Sequence, residues 1–185
     1  MVTRSDTTHI LTPPKLVEFE QPSLTRWLKH FFYVSRTNKI FNSQVLAGIT
    51  QAVEHAEQGH HGEIQVVIEG HIPAHQAYYQ NVSGRARQLF AQLGVWDTEF
   101  NSGILLYINL CERRIEIVVD RGIQQYTAQS IWDELCQQMA VQFKQQQFNE
   151  AILAAIHRIG EILNIYYEKE LGQIDNEINN QPVIL

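Results

Sequence analysis

Asp97, Glu99, Asn101 and Asp120 are the residues of this chain whose types and spacing could do chemistry. Alternate positions of an extended loop can aim their oxygens at one point, so Asp97-x-Glu99-x-Asn101 has the form of the first half of a calcium loop. All four side chains offer hard oxygens suited to calcium or magnesium. The EF-hand pattern itself is not met: Gly103 comes one place late, and Ile108 holds the position of the closing Glu. The competing reading is structural, with Asp97 and Asn101 bracing a turn by accepting backbone N–H groups. An enzyme built from Glu63, Asp97, Glu99 and Asp120 alone would need a metal to activate water.

Other chemistries find less support, and no residue is assigned as catalytic. The chain has no Gly-x-Ser-x-Gly elbow, no Gly-x4-Gly-Lys-Ser/Thr loop and no cysteine followed six places on by arginine. His55, His60, His61, His71 and His75 are dense, but Pro73 interrupts the His71-x3-His75 pair, so solvated loop histidines are the expectation. Cys111 and Cys136 are too few for a disulfide framework and read as reduced thiols.

The carboxylates must be positioned by a hairpin. Ile104 to Ile108 is a continuous apolar run, the pattern of a strand buried on both faces. Ile115, Ile117 and Val119 alternate with Glu116, Val118 and Asp120, the pattern of a second strand with one face in the core. An antiparallel pair brings the start of one strand beside the end of the other, which gathers the acidic loop and Asp120 at one sheet edge.

Around the hairpin the periodicity predicts helices from Leu24 to about Val34 capped by Ser23, from Ser43 to Gln58, and from about Ala74 to Leu93. A strand runs from Glu63 to Glu69. Thr127 or Ser130 caps a helix carrying Ile131, Leu135, Met139 and Phe143, and Asn149 caps a last one carrying Ile152, Ile156 and Leu163. This order makes an α/β protein, a three-layer α/β/α sandwich with a small mixed sheet, preceded by an N-terminal amphipathic helix. The expected division is a disordered segment over 1–22, the amphipathic helix over 23–38, the domain over 39–168 and a loose tail over 169–185.

The 185 residues are 44% hydrophobic, enough for one domain with a proper core. No apolar run approaches the roughly 20 residues that span a bilayer, and Met1 to Asp6 are polar with no apolar segment behind them, so a cytoplasmic location is expected. Residues 54–185 hold 8 basic and 17 acidic side chains, a balance of −9, which argues against nucleic acid. Residues 24–53 carry Arg26, Lys29, Arg36 and Lys39 and no acid. Within that basic stretch Trp27, Phe31 and Phe32 share one helical stripe with Leu24 and Leu28. Either the stripe packs on the domain, or, with Lys29, it meets a protein partner or an anionic membrane.

The segment from about Ser43 to Tyr167 resembles the TPM domain family. The resemblance rests on Gly62-Glu63-Ile64-Gln65-Val66, Leu93-Gly94-Val95-Trp96-Asp97, Asn101-Ser102-Gly103-Ile104-Leu105, and Arg113 to Asp120 followed by Arg121-Gly122-Ile123. It implies an α/β/α sandwich, calcium binding in some members, and an acid phosphatase activity, itself disputed, in a plant member. Many members carry Gly-Tyr-Gly-Leu after the hairpin and an acid at the start of the next helix; the counterparts here are Asp120-Arg121-Gly122-Ile123 and Gln129. The chain is similar to the short bacterial branch without a transmembrane tail, reported beside LemA-type membrane proteins. That likeness implies a non-enzymatic binding domain acting on a membrane-associated protein partner, of the LemA type, at the inner face of the membrane. The calcium site at Asp97, Glu99, Asn101 and Asp120 rests on their oxygen chemistry, not on the family's acidic position, which Gln129 fills here. The alternative is a metal-dependent phosphatase using the same carboxylates.

Overall fold

A computed structural model describes residues 22–34, 37–166 and 176–185. The expected disorder of residues 1–21 lies outside the described residues, as do residues 169–175 of the expected tail. The elements are α1 (Leu24–Phe31), α2 (Thr37–Ile40), α3 (Ser43–Ala56), β1 (Glu63–Glu69), α4 (Ala74–Ala77), α5 (Val82–Gln92), β2 (Gly103–Asn109), β3 (Arg114–Val119), α6 (Arg121–Gln124), α7 (Gln129–Lys144), α8 (Phe148–Tyr166) and β4 (Val183–Ile184).

The sheet order is β3-β2-β1-β4. β2 pairs antiparallel with β3 and parallel with β1, which in turn carries β4 in parallel on its other edge. The sheet is therefore mixed, as expected. Alternation along the strands divides two cores. Ile64, Val66, Ile68, Ile104, Leu106 and Ile108 face α3, α7 and α8, and Ile115, Ile117 and Val119 join them from β3. Val67, Leu105 and Tyr107 face the other way, onto Val82, Ala86 and Leu89 of α5. Layers on both faces make the α/β/α sandwich, and β2 is buried along its whole length.

Several boundaries differ from the sequence reading, each for a local reason. The expected helix from Ala74 to Leu93 is two helices, because Asn81 leaves the helical backbone and accepts from the Gly84 N–H at 2.8 Å to start α5. Neither Thr127 nor Ser130 caps α7, whose cap is Ala128 with no side-chain bond. Thr127 Oγ1 instead donates to the Ile123 carbonyl and accepts from Trp132 Nε1. Asn149 lies one residue inside α8 rather than at its cap.

The expectation of a loose C-terminal tail is corrected over residues 176–185. β1 carries Glu63, Gln65 and Glu69 at buried positions, and buried polar groups need partners. Glu63 accepts from the backbone N–H of Ile178 at 3.3 Å and lies 3.5 Å from that of Glu177. Gln65 Nε2 donates to the Gln181 carbonyl at 3.2 Å. The Leu185 N–H then donates to the Ile68 carbonyl at 3.0 Å, which completes the edge pairing.

Candidate functional site

The hairpin edge is built much as the sequence suggests, but its side chains do not converge. Asp97 and Glu99 are exposed on the loop before β2. Among the described residues Asp97 is bonded only through its backbone, and the Glu99 N–H donates to the Glu177 carboxylate at 3.0 Å. Asn101 stands at φ 52°, a left-handed conformation that asparagine tolerates better than most residues. Its carbonyl accepts from the Gly122 N–H at 3.1 Å, and its Oδ1 accepts from Arg121 Nε at 2.8 Å. Asp120 is buried; one carboxylate oxygen accepts from the Arg121 N–H at 2.6 Å and the other has no hydrogen-bond partner. The turn brace expected of Asp97 and Asn101 falls to Thr98, whose Oγ1 accepts from the Ser102 N–H at 2.9 Å.

These residues do not fit a calcium ion. Among the described residues no three His, Cys, Asp or Glu side chains come together as a metal cluster. Asn101 has given its oxygen to a guanidinium, and Asp120 is buried with one of its two oxygens committed to a helix start. The same limit applies to His71 and His75, both exposed. His60 and His61 depart from the solvated expectation. His60 is buried and its Nδ1 accepts from the Gly62 N–H at 3.0 Å, while His61 stacks on Phe100 with ring centres 4.1 Å apart.

A cleft of about 290 Å³ opens beside this edge, lined by Phe100, Asn101, Arg121, Gly122, Gln125 and Tyr126. A second, of about 280 Å³, lies between β3 and α7 and includes Glu116, Asp133 and Cys136. Burial pushes the Cys136 thiol up to about 12, so it is an inert thiol rather than a nucleophile. Burial likewise lifts Cys111 to about 11.

The opposite end of the sheet holds α1, and its arrangement is the inverse of ordinary amphipathic packing. The helix docks through its polar side. Arg26 Nε donates to the Ala77 carbonyl at 2.6 Å and its terminal nitrogen to the Tyr78 carbonyl at 3.2 Å. The Ser23 N–H also donates to the Tyr78 carbonyl at 2.9 Å. His30 is fully buried, its Nδ1 accepting from the Ile72 N–H at 3.1 Å. His30 Nε2 stands 3.1 Å from one Glu112 oxygen, off the line of a hydrogen bond, while Lys29 Nζ donates to the other at 2.7 Å. Burial, outweighing the attraction of Glu112, holds the His30 imidazole below its ordinary value. Behind this seat Glu69 accepts from Arg85 at 2.6 Å and from the Tyr107 hydroxyl, and burial beside that carboxylate pushes the phenol far above its ordinary range.

With the polar side engaged, the apolar stripe faces out. Phe32 is 71% exposed, Leu24 61% and Phe31 58%, and Leu28 and Val34 are exposed with them. Trp27 is half-buried and stacks on Phe31 with ring centres 5.1 Å apart. Of the four residues expected to meet a partner, Phe31 and Phe32 are open, Trp27 backs Phe31, and Lys29 is paired within the molecule. The stripe was legible in the sequence. The docking residues Arg26, His30 and Glu112 were not, although a histidine on the polar side of such a helix was a usable signal.

Comparison with known proteins bears on the domain that follows α1. The family model described as TPM domain matches residues 34–162. The NMR structure of BA42 protein from the psychrophilic bacterium Bizionia argentinensis superposes with a TM-score of 0.68 at 26% identity, covering 77% of this chain and 94% of that one. The N-terminal domain of a P. gingivalis protein shares the fold at a TM-score of 0.52 and 16% identity, over 76% of this chain and 84% of that one. No curated protein matches the chain.

Proposed function

The chain belongs to the TPM domain family, and on that footing we propose that it is a non-enzymatic binding domain for a membrane-associated protein partner, with the outward face of α1 as its contact surface. One observation carries this reading: α1 is held through Arg26, Lys29 and His30, so Leu24, Leu28, Phe31 and Phe32 are left to water. Burying a large apolar side chain is worth about 1.5–3 kcal/mol, so a row of exposed ones favours an occupant.

Charge selects the kind of occupant. An anionic bilayer would be drawn by free lysine and arginine, each worth about 1 kcal/mol near such a surface. Here Lys29 is neutralised by Glu112 and Arg26 is spent on two carbonyls. The chain as a whole carries −6. An apolar, nearly uncharged face on an acidic protein fits the apolar surface of another protein better than anionic lipid. The resemblance to the branch found beside LemA-type proteins makes a membrane-associated partner the class to test. No described helix is long and apolar enough to cross a membrane, so the chain would reach that partner from outside the bilayer. A metal-dependent phosphatase would instead draw on Asp97, Glu99 and Asp120 together, whereas Asp97 and Glu99 are exposed on the loop and Asp120 is buried.

Sedimentation with native membranes of the source cells tests the proposal. Saturable co-sedimentation is expected, lost when the membranes are first treated with protease, absent with protein-free vesicles of the same lipids, and lost in Phe31→Ser with Phe32→Ser at an unchanged melting midpoint. Equal binding to protein-free vesicles, or no binding to native membranes, overturns it.

A further inference from the structure

We infer that the hairpin edge of this chain is a site for a planar carboxylate with an aromatic body, in place of a metal cation. The positive charge at this edge is already built into the chain. Arg121 Nε donates to Asn101 Oδ1 at 2.8 Å, occupying an oxygen that a cation would need. A divalent ion placed there would meet a guanidinium, and like charges disfavour each other.

The geometry then suits an anion. The bond to Asn101 uses only Nε, and among the described residues no side chain is bonded to the two terminal nitrogens of Arg121. That terminal pair is a planar fork matching the two oxygens of a carboxylate. Because Asn101 accepts through Oδ1, its amide nitrogen remains a donor, and Gln125 adds a second carboxamide to the cleft. Among the described residues no acid lines the cleft, in a chain of net charge −6: Asp97 and Glu99 stand on the exposed loop outside it, and Asp120 is buried with one oxygen on the Arg121 N–H.

The walls supply the apolar part. Phe100 and Tyr126 are both partly open, and each is backed by a second ring: His61 at 4.1 Å behind Phe100, Tyr166 at 5.8 Å behind Tyr126. The left-handed Asn101, tied through its carbonyl to Gly122, holds the floor between them. Two aromatic walls beside one guanidinium fork are the recognition set for an aromatic carboxylate. A free aromatic acid and the C-terminal aromatic residue of a peptide share that chemistry. This site lies at the far end of the strands from α1, so it stands or falls independently of the binding face proposed there.

Titration of the ¹⁵N-labelled protein with 3-phenylpropionate, followed by NMR, tests the inference. Saturable shifts are expected at Asn101, Gly122 and the Arg121 side-chain N–H. Arg121→Gln should weaken binding by about tenfold or more, and Arg121→Lys should fail to restore it because the fork is lost. Phe100→Ser, which removes a wall and no charge, should weaken phenylpropionate and leave acetate unchanged. A peptide ending in phenylalanine, compared as free acid and as amide, distinguishes the two sources: tighter binding of the free acid than of phenylpropionate assigns a peptide terminus, and the reverse assigns a small acid. Undiminished affinity in Arg121→Gln, inorganic phosphate binding as well as phenylpropionate, or saturable calcium shifts at the same residues would each overturn it.

Discussion

Protonating His30 should undock α1. In the docked helix the Ile72 N–H donates to Nδ1 at 3.1 Å, so the ring hydrogen sits on Nε2, toward Glu112. A second proton must go to Nδ1, where it meets the Ile72 N–H head on. One hydrogen bond is lost and a buried donor is left unpaired, a cost of about 1–3 kcal/mol. The groups facing the ring are Glu112, which favours the charged form, and His71 and Lys29, which oppose it; burial is the largest influence, and the balance lowers the affinity for protons. The docked state therefore binds fewer protons than the free helix. Docking stability from this group is complete above the ordinary histidine value of about 6.5 and declines as pH falls through the lower docked value. A change of 1–3 kcal/mol is about 5- to 150-fold in the opening equilibrium. Hydrogen exchange at the α1 amides and at Ile72, corrected for intrinsic rates, reads that equilibrium directly. Protection in the wild type should fall by about 5- to 30-fold between about pH 7.5 and about pH 5, the ceiling one histidine of ordinary value about 6.5 allows over that range, and His30→Gln, which cannot titrate, should show no such fall. Flat wild-type protection, or an equal fall in His30→Gln, would refute the reasoning; an effect abolished by His71→Gln would move it to the wrong ring.

Other expectations follow from particular contacts. A methyl group at Gly103 would fall on the Val95 carbonyl oxygen, whereas one at Gly62 would meet only the end of the Leu163 side chain, 2.6 Å away; Gly103→Ala should cost more than about 3 kcal/mol by thermal melting and Gly62→Ala distinctly less. Arg85→Ala strands a buried Glu69 carboxylate and should destabilise by about 3–5 kcal/mol, with Glu69→Gln, Arg85→Met recovering part of the loss. Burial, with the nearby Glu63 charge adding to it, raises the Glu57 carboxyl to about 8 even though it accepts from the Ile64 N–H. Folded protein thus holds that proton more tightly than unfolded, and stability should decline as pH rises from about 4.5 to about 8, a slope that Glu57→Gln flattens in denaturant titrations. Millimolar calcium should leave the melting midpoint unchanged; a rise abolished by Asp97→Asn with Asp120→Asn would restore an ion to the hairpin edge.

Where the sequence spoke plainly, the information was local. Ile104 to Ile108 is apolar at every position and forms the strand covered on both faces, and the helix from Ser43 has the stripe that puts Ile49 and Val53 into the core. Ser23 caps α1 as its residue type suggests, its Oγ accepting from the Arg26 N–H. What could not be read depended on partners far away in the chain. β4 is two residues long in an Asn/Gln-rich stretch, and the residues ahead of it are tied to Glu63 and Gln65, buried on β1, through backbone groups of residues 177–181. The stripe on α1 was evident, but its direction was set by Arg26 and His30 finding polar seats on residues 72–78. The spacing of Asp97, Glu99 and Asn101 correctly located a polar loop beside Asp120, yet convergence of their oxygens required a backbone that Asn101, at positive φ and tied to Arg121, does not supply.

The pairing of β4 also sets an order of events during synthesis. β1 is made early in the chain and has its neighbour β2 soon after, but its other edge is completed only by Val183–Ile184. A ribosome therefore releases most of this sheet with one edge of β1 open and with Glu63 and Gln65 still lacking the C-terminal groups they bond. Until Val183–Ile184 leave the exit tunnel, the nascent domain presents an unpaired strand edge of the kind that recruits other strands. Ribosomes stalled before Val183–Ile184 emerge would hold the molecule in that open-edged form, and holdase chaperones should bind those stalled chains in preference to chains in which β4 has paired.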